Sequence, residues 1–227
     1  VEELLLKELG RFHSTYEVKQ ITAKIKALTF KDTFGQEGYL PVANGDLNLE
    51  DETLHMPRVE RPFRSRSVAA WRPDAGIDRF SSFLREVVPS EGDRVTLQEY
   101  VGYALLWWDI PFHKALFLVG PTASGKSTFL KVISELIASL ANLSPQQLVN
   151  NRFGASELEG AWANIRSDIS AAMLEDVGLF KEIVGGDPIY VERKYEQGYQ
   201  IRPTAKHIYS ANRLPELKVD DNAFFRR

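Results

Sequence analysis

Apolar residues recur at helical spacing over residues 2–9 and 16–28, with Ser14 between them in an N-cap position, so the chain is predicted to open on two amphipathic helices. From 38 to 71 the spacing shortens to alternating runs: Tyr39-Leu40-Pro41-Val42, Asp46-Leu47-Asn48-Leu49 and Ser67-Val68-Ala69-Ala70-Trp71. Asn44-Gly45 between the first two predicts a tight β turn. Helical spacing returns over 77–88, and 89–93 reads as a linker. Thr96-Leu97-Gln98-Glu99 has the capping-box pattern and is predicted to open an apolar helix running through Trp108. Lys114-Ala115-Leu116-Phe117-Leu118-Val119 is a short apolar run, read as a buried strand, and helical spacing resumes over 128–137.

Beyond it, Ser144-Pro145 marks a helix start, an N-cap followed by proline at the first helical position. Residues 163–170 read as a strand carrying an acid, 180–184 as helix, and 206–212 as a strand ending in a polar residue. Ile189-Tyr190-Val191 and Tyr199-Gln200-Ile201 flank a turn-rich stretch and predict a hairpin. Strands alternating with helices in this half predict a largely parallel sheet in an α/β domain, with ligands at the carboxyl ends of its strands.

Composition narrows the class. With 227 residues, 44% of them hydrophobic, the chain can bury a core of one large or two small domains. No apolar stretch approaches a membrane span, since the longest are broken by Asp109 and His113. No cysteine is present, which excludes disulfides and cysteine-bound zinc and fits a cytoplasmic protein. The four histidines, His13, His55, His113 and His207, lack metal-ligand spacing and read as structural. A net charge of −3 argues against coating duplex DNA by bulk charge, yet a narrow channel needs only a few cations per subunit. Two basic stretches qualify: Arg58, Arg61, Arg64, Arg66 and Arg72, read as solvated surface or otherwise a contact surface, and Arg193-Lys194. Trp107 and Trp108 read as packing residues rather than base-stacking platforms.

The sharpest chemical signal is Gly120-Pro121-Thr122-Ala123-Ser124-Gly125-Lys126-Ser127, which fits the phosphate-binding G-x-x-x-x-G-K-[ST] loop. A predicted strand precedes it and a predicted helix, opening at Thr128, follows, which is the context the chemistry requires. Gly120 and Gly125 let backbone N–H groups approach phosphate oxygens, and the helix N-terminus faces the same anion. Lys126 is placed to reach the β- and γ-phosphates of ATP, and the Ser127 hydroxyl to ligate Mg²⁺. Asp168, closing the strand after Ile165, is the candidate acid for Mg²⁺ or for the attacking water. Asn212, at the next strand end, can donate to the γ-phosphate and accept from water at once. Arg226-Arg227, after Phe224-Phe225, could reach a neighbouring subunit's γ-phosphate.

Gly185-Gly186-Asp187-Pro188-Ile189, Val191-Glu192-Arg193-Lys194, Ser210-Ala211-Asn212-Arg213-Leu214-Pro215 and Ala223-Phe224-Phe225-Arg226-Arg227, in that order after the P-loop and the acid, resemble the superfamily 3 helicases. The branch they look most like is the phage and plasmid primase–helicase type, similar also to the poxvirus primase–helicases. Asn44 through Leu49, Phe80 through Val87 and Gly102-Tyr103-Ala104-Leu105 look like that branch's accessory region, so the resemblance covers the chain from about Tyr39 onward.

The resemblance implies a P-loop AAA+ ATPase core with a parallel sheet over 93–227, preceded by a smaller mixed α+β accessory region over 1–92. It further implies a homo-hexamer that hydrolyses ATP with Mg²⁺ to move along single-stranded DNA, with a primase domain elsewhere in the same full-length protein and no membrane attachment. Lys194 matches the basic residue that tracks the DNA backbone from a hairpin in related helicases, with Arg193 before it and Tyr195 after it; a cation beside an aromatic suits phosphate contact plus stacking. Arg227 aligns better than Arg226 with the arginine finger. The chain departs from the family in three ways. Ile169, not a second acid, follows Asp168, leaving Glu175 and Asp176 as more distant carboxylates; the core is expected to be cut short after Arg227; and a start at Val1 is expected of an excised fragment. Two other classes share the P-loop: a DNA-packaging or partner-loading motor that does not unwind, and a small-molecule kinase. The kinase reading lacks an arginine-rich lid and leaves the Lys194 hairpin without a purpose.

Overall fold

The structure, a computed structural model, describes residues 34–217 apart from Arg152 and Glu175. The helices predicted over 2–9 and 16–28 and the Phe224-Phe225-Arg226-Arg227 segment lie outside the described residues. The chain divides into two compact units, Val1–Gly35 and Gln36–Arg227, and all elements below belong to the second.

Strands β1 (Tyr39–Val42), β2 (Gly45–Asn48) and β3 (Leu54–His55) form an antiparallel sheet in that order. Val42 pairs with Gly45, so the turn is Ala43-Asn44, one residue earlier than Asn44-Gly45 predicts. Gly45 is needed in the strand itself, because a Cβ there would fall 2.6 Å from the His55 carbonyl oxygen. The alternating run at 67–71 is not a strand. It lies along β1 through isolated bonds, Ser67 N–H to Pro41 O and Ala43 N–H to Ala69 O, while the Asn44 amide clasps the Trp71 main chain at 2.8 and 2.9 Å.

Two members of the arginine stretch are not solvated surface. Asp46 is wholly buried; one carboxylate oxygen accepts from Arg61 at 3.1 Å and the other meets Arg66 at 2.7 Å. Arg66 also donates to the Val42 and Gly45 carbonyls, and the Arg61 guanidinium lies 3.9 Å from the Tyr39 ring centroid. A buried carboxylate demands such pairing. Arg58, Arg64 and Arg72 remain exposed.

Helices α1 (Asp78–Val87) and α2 (Glu91–Ala104) follow. α2 starts five residues before the predicted capping box: Ser90 is its N-cap, accepting from Asp93 N–H, and Glu91 and Asp93 supply the acidic first turn. Thr96 sits inside the helix with its hydroxyl on the Gly92 carbonyl. The helix stops at Ala104, where the Leu105 and Leu106 N–H groups tighten onto Gly102 and Tyr103, rather than at Trp108. Trp107 then packs back, its Nε1–H donating to Tyr39 O at 3.0 Å, with edge contacts to Phe63 and Trp108.

The remaining elements are β4 (Ala115–Val119), α3 (Lys126–Leu136), β5 (Leu140–Ala141), α4 (Pro145–Asn150), a 3-10 turn at Gly154–Leu158, β6 (Ala163–Arg166), α5 (Val177–Gly185), β7 (Ile189–Val191), β8 (Tyr199–Ile201) and β9 (Lys206–Ala211). Ser144 and Gln147 complete the capping box of α4 with Pro145 at its start. β4, β9, β6 and β5 form a four-stranded sheet in that order, every pair parallel, while β7 and β8 make an antiparallel hairpin. The fold is therefore mixed α/β, with a parallel sheet at its centre.

β9 is buried along its whole length, and its side chains alternate between two cores. Tyr209 joins Leu148, Phe180 and Ile183 on the α4 and α5 face. Ile208 joins Leu97, Tyr100, Phe129, Leu130 and Ile133 on the α2 and α3 face, where Leu40, Val42 and Leu47 of the antiparallel sheet pack as well. Tyr100 ties this face to the strand ends by donating toward the Lys114 and His207 carbonyls, both at 2.9 Å. At the amino end of β9, burial lowers the Lys206 ammonium to about 7, with Asp109 opposing the shift, and lowers His207 to about 3.

Candidate nucleotide site

The P-loop begins where β4 ends. Gly120 N–H donates to Ala211 O at 3.2 Å, so the loop starts beside the last residue of β9. Ala123 (φ 63°) and Gly125 (φ 85°) take left-handed conformations, which turn the chain sharply into α3. Gly125 occupies the N-cap position without any side-chain cap, leaving the first N–H groups of α3 to point into the loop. Lys126 folds across the loop, donating to the Gly120 and Pro121 carbonyls at 2.7 Å each and to Ser124 Oγ at 3.2 Å. Ser127 and Thr128 are exposed in the first turn of α3.

The strand order brings the other two candidates to the same edge. β9 lies between β4 and β6, with Val119 opposite Ala211 and Arg166 opposite Tyr209. Asn212 follows Ala211 directly and is exposed beside Gly120. The acid strand is shorter than predicted: β6 ends at Arg166, and Asp168 stands beyond it in a left-handed conformation, φ 50°. There its N–H donates to Ser210 Oγ at 3.2 Å, and Ile169 N–H donates to Ser210 O at 2.9 Å. Lys126, Asn212 and Asp168 thus follow three neighbouring strands at their carboxyl ends, where α/β sheets bind ligands. Asp176 is occupied as the N-cap of α5, accepting from Leu179 N–H.

A cavity of about 450 Å³ adjoins the loop. Gly120, Ser124, Gly125 and Lys126 line one end, while Val87, Val88, Pro89 and Leu97 supply apolar walls and Asp93 and Thr96 supply polar groups. Sequence reading missed this wall, because nothing local to the α1–α2 connection signals that it lies against a loop thirty-odd residues on. Ser210 was missed too, although it stands in the quoted Ser210-Ala211-Asn212 motif.

The hairpin separates its three candidates. Arg193 pairs with Glu159 at 2.7 Å, and the same carboxylate oxygen accepts from Tyr199 Oη at 2.8 Å. Burial and the Glu159 carboxylate push the Tyr199 phenol up. Lys194 and Tyr195 project at the tip, Tyr195 fully exposed with φ 66°. Exposed Tyr190 leans over Gly198, whose missing side chain leaves room for the phenol.

Ser127 in the first turn of α3 and Asp168 beyond β6 supply the hard oxygen donors that fit a phosphate-bound Mg²⁺. Among the described residues no His, Cys, Asp or Glu cluster forms a metal site of its own, and no helix is long and apolar enough to cross a membrane.

Residues 118–227 match a family of unknown function (DUF5906). No curated protein matches the sequence. Among solved structures, the A form apo structure of the NrS-1 C-terminal region is similar at TM-score 0.56 and 12% identity, over 92% of this chain and 50% of that one. The apo structure of the NrS-1 C-terminal region aligns at TM-score 0.49 and 12% identity, over 64% of this chain and 36% of that one. At such identity the first likeness is one of fold, and this chain spans about half the length of that structure.

Proposed function

We propose that this chain is the ATP-hydrolysing motor of a replication protein, an AAA+ helicase of superfamily 3 that moves on single-stranded DNA and unwinds duplex. The observation that carries the reading is the insertion of β9 between β4 and β6, which sets Asn212 between the P-loop and Asp168. In this reading, N–H groups of residues 121–128 cradle the phosphates, Lys126 neutralises the β- and γ-oxygens, and the nucleoside lies in the cavity walled by Val87, Val88 and Pro89. Ser127 and Asp168 would hold Mg²⁺, which when bound would offset phosphate charge. Asn212 orients the attacking water and senses the γ-phosphate. Asp168 is the acid of the site in this reading, and Asp176 is engaged as a helix cap, while Glu175 lies outside the described residues.

Arg227, or Arg226 beside it, acts on a neighbouring subunit's nucleotide in a homo-hexamer whose full-length chains also carry a primase domain. Lys194 and Tyr195 contact single-stranded DNA from the hairpin tip, while Arg193 braces the hairpin through Glu159. The test is strand displacement from a forked duplex by the full-length protein. ATP-dependent displacement that a non-hydrolysable analogue cannot support is expected. DNA-stimulated hydrolysis with no displacement would replace the helicase with a loading or packaging motor.

A further inference from the structure

Asp168 is held in an unusual place by one residue. Its φ of 50° lies in the left-handed region, which aspartate tolerates but does not prefer. Two successive amides of this strained turn, those of Asp168 and Ile169, both donate to Ser210, one to its Oγ at 3.2 Å and one to its carbonyl at 2.9 Å. Ser210 is itself completely buried, on the strand that is buried at every position. It cannot swing away to bond water, and a buried hydroxyl with a fixed acceptor role sets its donor rigidly. Two residues further on stands Asn212.

The loops that leave β6 and β9 are joined again beyond this point. Glu216 N–H donates to Ala171 O at 3.2 Å, Leu174 N–H donates to Glu216 O at 2.8 Å, and Leu174 bridges Leu217 in parallel. Gln146 of α4 steadies the same loop, with its amide on the Ser170 and Ala172 carbonyls. The acid loop is therefore registered to the asparagine segment on both sides of Asn212, and Ser210 is the only side chain in that register that bonds the acid's own amide among the described residues.

We infer that Ser210 is a positioning residue for ATP hydrolysis: its hydroxyl fixes the backbone of Asp168 beyond the end of β6 and couples Asp168 to the strand that leads into Asn212. The inference rests on the ATPase reading above. Removing the hydroxyl loosens the Asp168 amide alone, since the backbone bonds on either side of it and the P-loop stay in place, so turnover falls while ATP affinity stays.

The experiment compares the full-length parent with Ser210→Ala and Ser210→Cys, the second keeping the side-chain shape with a somewhat larger and weaker sulfur acceptor. Steady-state ATP hydrolysis gives kcat and KM, and a fluorescent ATP analogue gives affinity. Loss of one such bond is expected to lower kcat about 5- to 10-fold with KM and analogue affinity unchanged. Adding either substitution to Asp168→Asn should lower the residual rate no further, because the acid it acts through is gone. Parent-like kcat in either folded variant, a KM rise that accounts for the loss, or an equal further loss in the Asp168→Asn background would overturn the assignment while leaving the ATPase reading intact. A parent that neither binds nor hydrolyses ATP overturns the reading, and this inference with it.

Discussion

Gly125 and Val87 leave no room for a side chain between them: a Cβ on Gly125 would lie 2.7 Å from Val87 Cγ1. The end of α1 is thus pressed against the turn that opens α3, and Gly125 itself has φ 85°. Gly125→Ala meets both obstacles. Its left-handed backbone costs roughly 1–2 kcal/mol in any L-residue, and the contact adds to that. Denaturant unfolding should show the loss, and Val87→Ala should restore only the steric part.

Lys126 is half-buried and, among the described residues, bonds only carbonyls and Ser124 of its own loop. Lys126→Ala should therefore leave the melting temperature nearly unchanged while lowering ATP turnover at least about 10²-fold, the scale of one preorganised cation or donor in a water-poor site. Parent-like turnover in the folded variant would remove the P-loop from the chemistry.

Asp46→Ala strands two guanidiniums, one of them almost wholly buried, in the antiparallel sheet. Breaking a buried pair of this kind costs about 3–5 kcal/mol, so urea unfolding should show a loss of that order. The salt dependence of DNA binding should stay the same, since Arg61 and Arg66 serve Asp46 rather than a nucleic acid.

Lys206 makes stability depend on pH with a definite sign. The native ammonium loses its proton near 7, whereas in the unfolded chain it keeps it to about 10.5. Over that window unfolding takes up a proton, so stability rises as pH climbs from about 7 to 10.5. His207 acts in the same direction between about 3 and 6.5. Lys206→Met should gain stability at pH 6, by a few kcal/mol at most, and lose most of the slope above pH 7. Denaturation at pH 6 and pH 9 checks both points, and a parent more stable at pH 6 than at pH 9 would reverse the assignment.

At the hairpin, Lys194→Ala should weaken single-strand binding regardless of sequence and reduce the log–log salt slope by about one unit. Arg193→Ala removes an ion pair whose partners are 46% and 33% exposed, so it should cost under about 1 kcal/mol of stability. A larger DNA-binding loss for Arg193→Ala than for Lys194→Ala would exchange their roles.

What the sequence disclosed was local. The P-loop with its flanking strand and helix, the Ser144-Pro145 helix start and the β7–β8 hairpin each depend on residues within about a dozen positions, and each appears where the pattern predicts, apart from the helix after the loop, which opens at Lys126 rather than Thr128. What it concealed depends on partners far along the chain. Thr96 through Glu99 match a capping box, yet Ser90 caps the helix because Glu91 and Asp93 already form a good first turn. The run at 67–71 alternates like a strand, but the Asn44 side chain takes the bonds that a ladder would need. Arg61 and Arg66 read as surface until Asp46, at least fifteen residues away, is seen to be buried between them. Within the site, the P-loop and Asn212 were legible from their strands and Asp168 to within two residues of the end of β6, whereas the Ser210 contact that places Asp168 spans 42 residues and has no local signature.

The central claim, an ATP-driven motor on single-stranded DNA, is tested most directly by ATP hydrolysis of the full-length protein with and without single-stranded DNA. Hydrolysis stimulated by the strand, lost in Lys126→Ala, and no longer stimulated in Lys194→Ala is the expected result. An assembled protein that hydrolyses no ATP, or hydrolyses it at one rate whether or not DNA is present, would contradict the account.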